Sequence, residues 1–448
     1  MGRLFGTDGV RGVANTYPMT AEMAMKLGMA IGRRCRQERR APRVVVGRDT
    51  RLSGSMIESA LVSGLCAMGA DALAVGTMPT PGVAFLTVDM RADAGIVISA
   101  SHNPFEDNGI KIFSVTGYKL PDEIEDEIED MVLSDGLGRH CAPPEEIGRV
   151  YTIEDAAGRY IVFLKRTFPS GRRLEGLKIV LDCAHGATHR VAPEIFFELG
   201  AEVTSLSVQP DGRNINRDCG TQHAEALANE VVRTGADIGL AFDGDGDRVI
   251  AVDENGRRLT GDQILLICAR ALQRQGRLRN NRVVSTVMSN LGLKVALREL
   301  GVEHVEAKVG DRYVLEEMIA TGAVLGGEES GHMIFLEHHT TGDGILTALQ
   351  LLAVMREGSR PLSALNTMRA FPQKMVNVTV REKPDIATVP GIVSAIHEAE
   401  ERLGERGRVL VRYSGTQALC RVMVEGPTEE ETAAWCGRIA SVVRAHLG

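Results

Sequence analysis

Residues 178–205, KIVLDCAHGATHRVAPEIFFELGAEVTS, read as one complete strand–turn–helix–strand unit. Ile179, Val180 and Leu181 form an apolar run, its first two residues β-branched, that suits a buried strand. Small and polar residues then interrupt it, and an amphipathic helical stretch follows. That stretch closes at Gly200, where glycine fits the left-handed conformation of a helix C-terminus. Two other stretches repeat the plan. Residues 43–76 run from RVVVGRDTRLSG to LCAMGADALAVG, with Gly69 at the closing position. Residues 282–307, RVVSTVMSNLGLKVALRELGVEHVEA, place Gly301 there. Units of this length imply parallel strand pairing with a right-handed crossover. Copies roughly a hundred residues or more apart imply separate related domains rather than a solenoid, whose periods are shorter.

The expected fold is therefore α/β: three related mixed-sheet α/β domains plus a C-terminal α+β domain around one central cleft. The domains are expected at 1–150, 151–255, 256–370 and 371–448. Helices are expected at about 121–134, at about 153–168 and after Gly261-Asp262-Gln263. From Phe371-Pro372 the pattern changes to a strand (KMVNVTV), a helix at about 390–404, two strands in RVLVRYSGTQALCRVMVEG, and a last helix from about 428. With 448 residues, 44% hydrophobic and 25% charged, the chain has the composition of a soluble globular protein. Its net charge of −8 and its 4% aromatic content argue against a nucleic-acid or anionic-membrane surface, so an anionic substrate must be met by local cations. The start, MGRLFGTDGVRG, lacks the features of a signal peptide, and no apolar run is long enough to span a bilayer. The expected location is the cytoplasm. The eight cysteines form no C-x-x-C pair and are expected to be buried free thiols.

Four loops carry chemistry. In GIVISASHNPFEDNGIKIF (95–113) an apolar strand breaks into small and polar residues, presenting the Ser101 hydroxyl at the strand's carboxyl end, where open α/β sheets bind ligands. Asn108-Gly109 is a turn signal, and an alternating strand then resumes with Lys111 on its polar side. In DIGLAFDGDGDRVIAV (237–252), Asp243, Asp245 and Asp247 sit at alternate positions between glycines, able to converge on one hard cation such as Mg²⁺. An EF-hand is opposed by Arg248, which stands where that loop needs glycine, and by the apolar run after it; a solvated acidic turn is the remaining alternative. GGEESGH (326–332) groups Glu328, Ser330 and His332 as grips for a small polyol, with a polar loop of no consequence as the alternative. RYSGTQALCR (412–421) offers Arg412, Ser414, Gly415, Thr416 and Arg421 to an anion, or else is a plain hairpin. Weaker signals are GRDTRLSG, TGDG (341–344) and KVGDRY, with Lys308, Gly310, Asp311 and Arg312.

ISASHNP followed by NGIK, DGDGDR, GGEESGH and R-x-SGT, in this order along essentially the whole chain, resembles the α-D-phosphohexomutase superfamily. Within it, FGTDGVRG and AKVGDRYVLE are similar to the phosphoglucosamine mutase family. The resemblance implies interconversion of glucosamine 6-phosphate and glucosamine 1-phosphate, on the route to UDP-N-acetylglucosamine and peptidoglycan precursors. It implies a phosphorylated Ser101, one Mg²⁺ held by Asp243, Asp245, Asp247 and the phosphoserine, and a hexose 1,6-bisphosphate as intermediate and activator. Arg11, Lys111 and Arg248 match residues around the transferring phosphoryl group, with His332 beside them, and Lys111 is a candidate acid/base. Glu328 and Ser330 match sugar contacts, with Lys308, Gly310 and Asp311 placed on the substrate side. Arg412, Ser414, Gly415, Thr416 and Arg421 match the site of the non-reacting phosphate. The implied partner is a small amino-sugar phosphate, with no nucleic acid or membrane, and the chain a monomer or homodimer. Glu329 and Gln417 depart from the family pattern of glutamine and glutamate at those places, and GEES is also similar to glucose-type mutases. The rival readings are a glucose or mannose phosphate mutase, a phosphatase with Asp243 as nucleophile, and a non-catalytic phosphosugar-binding protein.

Overall fold

The computed structural model describes residues 4–6, 8–134, 136–414 and 418–448. The chain divides into two compact units, Met1–Val287 with Val305–Asn366, and Met288–His304 with Thr367–Gly448. The larger unit carries three mixed sheets. The first has seven strands in the order Phe5–Gly6, Gly9–Val13, Asp107–Ser114, Ala94–Ile98, Arg43–Arg48, Asp71–Thr77, Val150–Thr152. Arg43–Arg48 pairs in parallel with Asp71–Thr77 and with Ala94–Ile98, whereas Asp107–Ser114 runs antiparallel to Ala94–Ile98. Every residue of Ala94–Ile98 is buried, as expected of a continuous apolar run at the centre of a covered sheet. Each fully buried Ile or Val there contributes about 1.5–3 kcal/mol.

The second sheet runs Arg258–Leu259, Val249–Asp253, Ile238–Phe242, Lys178–Asp182, Glu202–Leu206. Lys178–Asp182 pairs in parallel with Glu202–Leu206, as the strand–helix–strand reading requires. Ile238–Phe242 and Val249–Asp253 are antiparallel and wholly buried, so residues 243–248 form the connection between two core strands. In the third sheet, Arg282–Thr286 pairs in parallel with Leu325–Gly327, which pairs antiparallel with Met333–Phe335. Residues 328–332 therefore turn between the last two. Gly69, Gly200 and Gly301 each follow a helix with φ of +82°, +96° and +67°, the left-handed closure predicted for them.

The smaller unit has an antiparallel sheet, Gln373–Thr379, Leu419–Glu425, Arg408–Tyr413. Helices Pro390–Leu403 and Glu429–Leu447 supply Ile392, Leu403, Ile439 and Val443 to the core over Val422 and Val424. This is the α+β pattern read from the tail.

Three features differ from the sequence reading. Asn108 and Gly109 do not turn but lie inside the strand Asp107–Ser114, because Asn108 Nδ2 donates to Ser53 Oγ at 2.8 Å and the strand pairs on both sides. The reversal occurs earlier, at 101–106. Lys111 accordingly lies on no solvent face and is 2% exposed. Helix Leu291–Glu299 belongs with the smaller unit rather than with its own repeat: Asn290 caps it and also donates from Nδ2 to Phe371 O at 3.0 Å, while Leu291 N–H donates to Glu425 Oε2 at 3.0 Å. Strand Val150–Thr152, at the expected first boundary, pairs with Asp71–Thr77 of the first sheet. All eight cysteines are free, and all but Cys66 and Cys141 are buried. Among the described residues no helix is long and apolar enough to cross a membrane.

Candidate active site

Strand Ala94–Ile98 ends against the polar loop, and Ser101 adopts φ +52°, a left-handed conformation uncommon for serine. Its side chain is 1% exposed. The hydroxyl donates to Asp243 Oδ2 at 2.6 Å, and its Oγ lies 3.2 Å from His102 Nδ1. Burial, with Arg248 adding to it, pushes His102 down to about 4, leaving a neutral imidazole at physiological pH.

Asp243, Asp245 and Asp247 are buried, and one carboxylate oxygen from each lies within 4.8 Å of the others. Asp243 is held well above the usual carboxylate range, first by burial and then by Asp247 and Asp245. Asp245 Oδ2 accepts from Thr80 Oγ1 at 2.6 Å and from Lys111 Nζ at 2.9 Å, but Asp245 Oδ1 and Asp247 Oδ1 are buried without a hydrogen-bond partner. Three buried, converging, mutually repelling carboxylates, two of them with an unsatisfied oxygen, fit a hard divalent cation, and an all-oxygen donor set suits Mg²⁺.

Lys111 pairs with Asp245 at 2.9 Å, Asp8 at 3.2 Å and Asp247 at 3.6 Å. Burial lowers the ammonium's pKa, but Asp245, Asp8 and Asp247 outweigh it and hold it above its ordinary value. Asp8 also pairs with Arg11 and Lys119, and Lys119 reaches Asp311 at 2.5 Å. Asp8 is held well below the carboxylate range: burial opposes this, and Lys111, Lys119 and Arg11 overcome it. His332 Nδ1 lies 3.6 Å from Asp247, and Nε2 lies 3.7 Å from Asp311. Burial would lower this imidazole, but Asp247, Asp311 and Glu328 raise it. Arg248 is adjacent, its Nε 3.8 Å from Asp247 Oδ1, and it forms a β-bridge with His332 that joins the two loops. Glu328 Oε1 accepts from Gly310 N–H at 3.1 Å, tying KVGDRY to GGEESGH. Ser101, Lys111, Arg11, Arg248, His332, Asp311, Gly310, Glu328 and the aspartates are therefore linked through one polar network. Ser330 and Lys308 lie outside it, both exposed, with Lys308 Nζ 5.6 Å from the Tyr313 ring centroid.

In the smaller unit, Arg412 and Arg421 stand directly opposite on adjacent strands. Burial, then repulsion from Arg421, lowers Arg412. Lys383 Nζ donates to Ser414 O at 2.7 Å, adding a third cation at this turn. The cluster has the chemistry of an anion site. Gly415 and Thr416 lie outside the described residues.

Sequence reasoning passed over Asp8, Lys119, Thr80, Asn216 and Lys383. Asp8 stands three residues before Arg11 within FGTDGVRG, a charged residue in a glycine-bounded turn, which was the available signal. Asn216 Nδ2 donates to Ser101 O at 2.9 Å from a loop with no chemical motif of its own.

Comparison with known proteins adds a second line. The profile for phosphoglucomutase/phosphomannomutase alpha/beta/alpha domain I matches residues 2–137, domain II 159–256, domain III 260–371 and the C-terminal domain 375–442. The chain is 61% identical to the phosphoglucosamine mutase of Syntrophus aciditrophicus and 59% identical to that of Syntrophobacter fumaroxidans, each across 100% of both chains. A phosphoglucomutase/phosphomannomutase family protein from Burkholderia thailandensis superposes with TM-score 0.79 at 25% identity, over 98% of this chain and 97% of that one. Aspergillus fumigatus N-acetylphosphoglucosamine mutase, solved with GlcNAc-6P and magnesium, shares the fold with TM-score 0.69 at 16% identity, over 99% of this chain and 95% of that one.

Proposed function

The chain belongs to the phosphoglucosamine mutases of the phosphoglucomutase/phosphomannomutase family, and from that premise we propose that Ser101 is the phosphoryl carrier of this isomerase. The enzyme interconverts glucosamine 6-phosphate and glucosamine 1-phosphate. Phosphorylated Ser101 passes its phosphoryl group to the free hydroxyl of the sugar phosphate; the Oγ–P bond breaks as the sugar O–P bond forms, and the hydroxyl proton lost by the sugar is balanced by the one Ser101 Oγ gains. The resulting 1,6-bisphosphate returns its other phosphoryl group to Ser101 Oγ, leaving the isomeric monophosphate.

One observation carries this reading: the Ser101 hydroxyl lies 2.6 Å from Asp243 Oδ2 in a buried carboxylate triad, with the Lys111 ammonium 2.9 Å from Asp245. Asp243, Asp245, Asp247 and the phosphoserine would hold Mg²⁺, which when bound supplies charge neutralisation to the transferring phosphoryl oxygens. Lys111, Arg11 and Arg248 add fixed positive charge there, so catalysis is mainly positioning and electrostatics. His332 beside Asp247 and Asp311, together with Glu328, Ser330, Lys308 and Gly310, faces the sugar. Arg412, Ser414, Gly415, Thr416 and Arg421, joined by Lys383, form the site for a substrate phosphate. Against Asp243 as a phosphatase nucleophile stands the engagement of both its oxygens, Oδ2 by Ser101 and Oδ1 by Arg248 N–H at 3.2 Å.

The test is a coupled assay with Mg²⁺ and a trace of hexose 1,6-bisphosphate, comparing glucosamine, glucose and mannose 6-phosphates by kcat/KM. The expected result is preference for glucosamine 6-phosphate, lost in Ser101→Ala. Preference for glucose or mannose phosphate would keep the mechanism and overturn the substrate; turnover by Ser101→Ala would overturn the mechanism.

A further inference from the structure

The carrier serine sits in a loop whose own backbone is strained, and two side chains far apart in sequence hold it. Arg51 is wholly buried, its guanidinium at 0% exposure, paired through Nε with Asp49 Oδ2 at 2.8 Å. Its remaining donors go to loop carbonyls: Nη2 to Ser101 O at 2.9 Å and Asn103 O at 2.8 Å, Nη1 to Asp107 O at 3.0 Å and to Pro104 O. All five N–H groups of the fork are thereby used. Asn216, from the second sheet's loop region, donates to the same two carbonyls, Ser101 O at 2.9 Å and Asn103 O at 3.0 Å. The amide has two N–H groups and meets two acceptors, so both carbonyls receive two donors each. Asp49 extends the brace: Oδ2 accepts from Ser99 Oγ at 2.6 Å, and Ser99 Oγ accepts from Ser101 N–H at 3.0 Å. Nothing in the proposed chemistry uses Arg51 or Asn216, and neither touches the reacting oxygen.

We infer that Arg51 and Asn216 are positioning residues that clamp the carbonyls of Ser101 and Asn103, fixing the Ser101 hydroxyl against the metal-ligand loop. The inference rests on Ser101 being the phosphoryl carrier. Its physical content is that a left-handed serine persists only when its surroundings over-determine it. Arg51 braces the loop from the first sheet, and Asn216 holds it where the 243–247 connection approaches most closely: a Cβ built on Gly244 would lie 2.8 Å from Asn216 Nδ2 and 2.6 Å from Ser101 O. The Asn216 half of the clamp is the testable half, because Arg51 is also a core ion pair whose loss threatens folding.

Asn216 itself has φ +59°, which glycine and aspartate both tolerate. Asn216→Gly removes the donor without adding backbone strain. Asn216→Asp keeps the shape but aims a carboxylate at two carbonyl oxygens. Steady-state kinetics on glucosamine 6-phosphate and thermal unfolding would be read for both, beside the parent and Ser101→Ala. The clamp predicts a fall in kcat of about 10- to 100-fold with KM changed by less than about threefold, larger for Asp than for Gly, with the Gly variant unfolding near the parent's. Parent-like kcat in both variants, or kcat falling only in step with thermal stability, would overturn it. Turnover by Ser101→Ala would instead overturn the carrier assignment, and the clamp with it, whatever the Asn216 variants do.

Discussion

Gly244→Ala isolates the close approach of the metal-ligand loop to the serine loop. Gly244 is not in the left-handed region, so alanine there adds volume without backbone strain. The added Cβ would stand 2.6 Å from Ser101 O, 2.8 Å from Asn216 Nδ2 and 2.9 Å from Ile215 Cδ1. Ordinary contact begins near 3.4 Å, so the carbonyl must retreat by the difference between 3.4 and 2.6 Å, about 0.8 Å. Arg51 and Asn216 resist that retreat, and the 2.6 Å bond from Ser101 Oγ to Asp243 lies one residue's geometry away. Overpacking of this kind costs about 1–3 kcal/mol of stability. Misplacing a reacting group by about 1 Å costs on the order of a hundredfold in rate, so kcat should fall by about 30- to 100-fold while the protein stays folded at 25 °C. The coupled glucosamine 6-phosphate assay gives kcat, and urea unfolding gives the stability term. A folded Gly244→Ala protein with kcat within about threefold of the parent would refute the claim that the two loops are held at catalytic tolerance.

Arg421→Ala should raise KM for the sugar phosphate by about 10- to 100-fold, the worth of a charge-assisted phosphate contact, without loss of thermal stability. Stability is spared because Arg421 faces Arg412 across the strand pair and their repulsion disappears; a large fall in melting temperature with KM unchanged would contradict this. Asp343 accepts from Tyr160 OH at 2.8 Å and from Leu346 N–H at 2.9 Å, yet burial pushes it up to about 6 from an ordinary 3.8. A carboxyl raised in the folded state stabilises fully below its unfolded value, and that contribution is lost as pH rises through about 6. Asp343→Asn removes the ionisation, so its melting temperature relative to the parent's should climb between about pH 4 and pH 7, with roughly 2–3 kcal/mol as the upper bound. A difference independent of pH would show that the carboxyl titrates normally.

The sequence made the loops legible and left their connections dark. Asp243, Asp245 and Asp247 could be read as converging because they are two residues apart between buried strands, a local pattern. The glycines closing the repeats were legible for the same reason. Asn108-Gly109 misled because that pair usually marks a turn; here Gly109 serves an approach, its absent Cβ leaving 2.6 Å to Ser99 O. Thr80 on Asp245, Lys119 between Asp8 and Asp311, and Asn216 on Ser101 are contacts across 165, 111 and 192, and 115 residues of sequence. No local spacing encodes them. Lys111 shows the same limit from the other side: its charge suggested a polar face, whereas three carboxylates from two distant segments, Asp8 and the Asp245–Asp247 loop, pair with it as a buried cation.

The most direct test of the account is to follow the phosphoryl group itself. The purified enzyme would be incubated with Mg²⁺ and glucosamine 1,6-bisphosphate labelled in its phosphates; one portion would be digested and its phosphopeptides mapped by mass spectrometry, and another chased with unlabelled glucosamine 6-phosphate before digestion. The account predicts label on Ser101 alone, discharged by the chase into sugar bisphosphate. Label on Asp243, or label on Ser101 that the sugar phosphate cannot discharge, would contradict it.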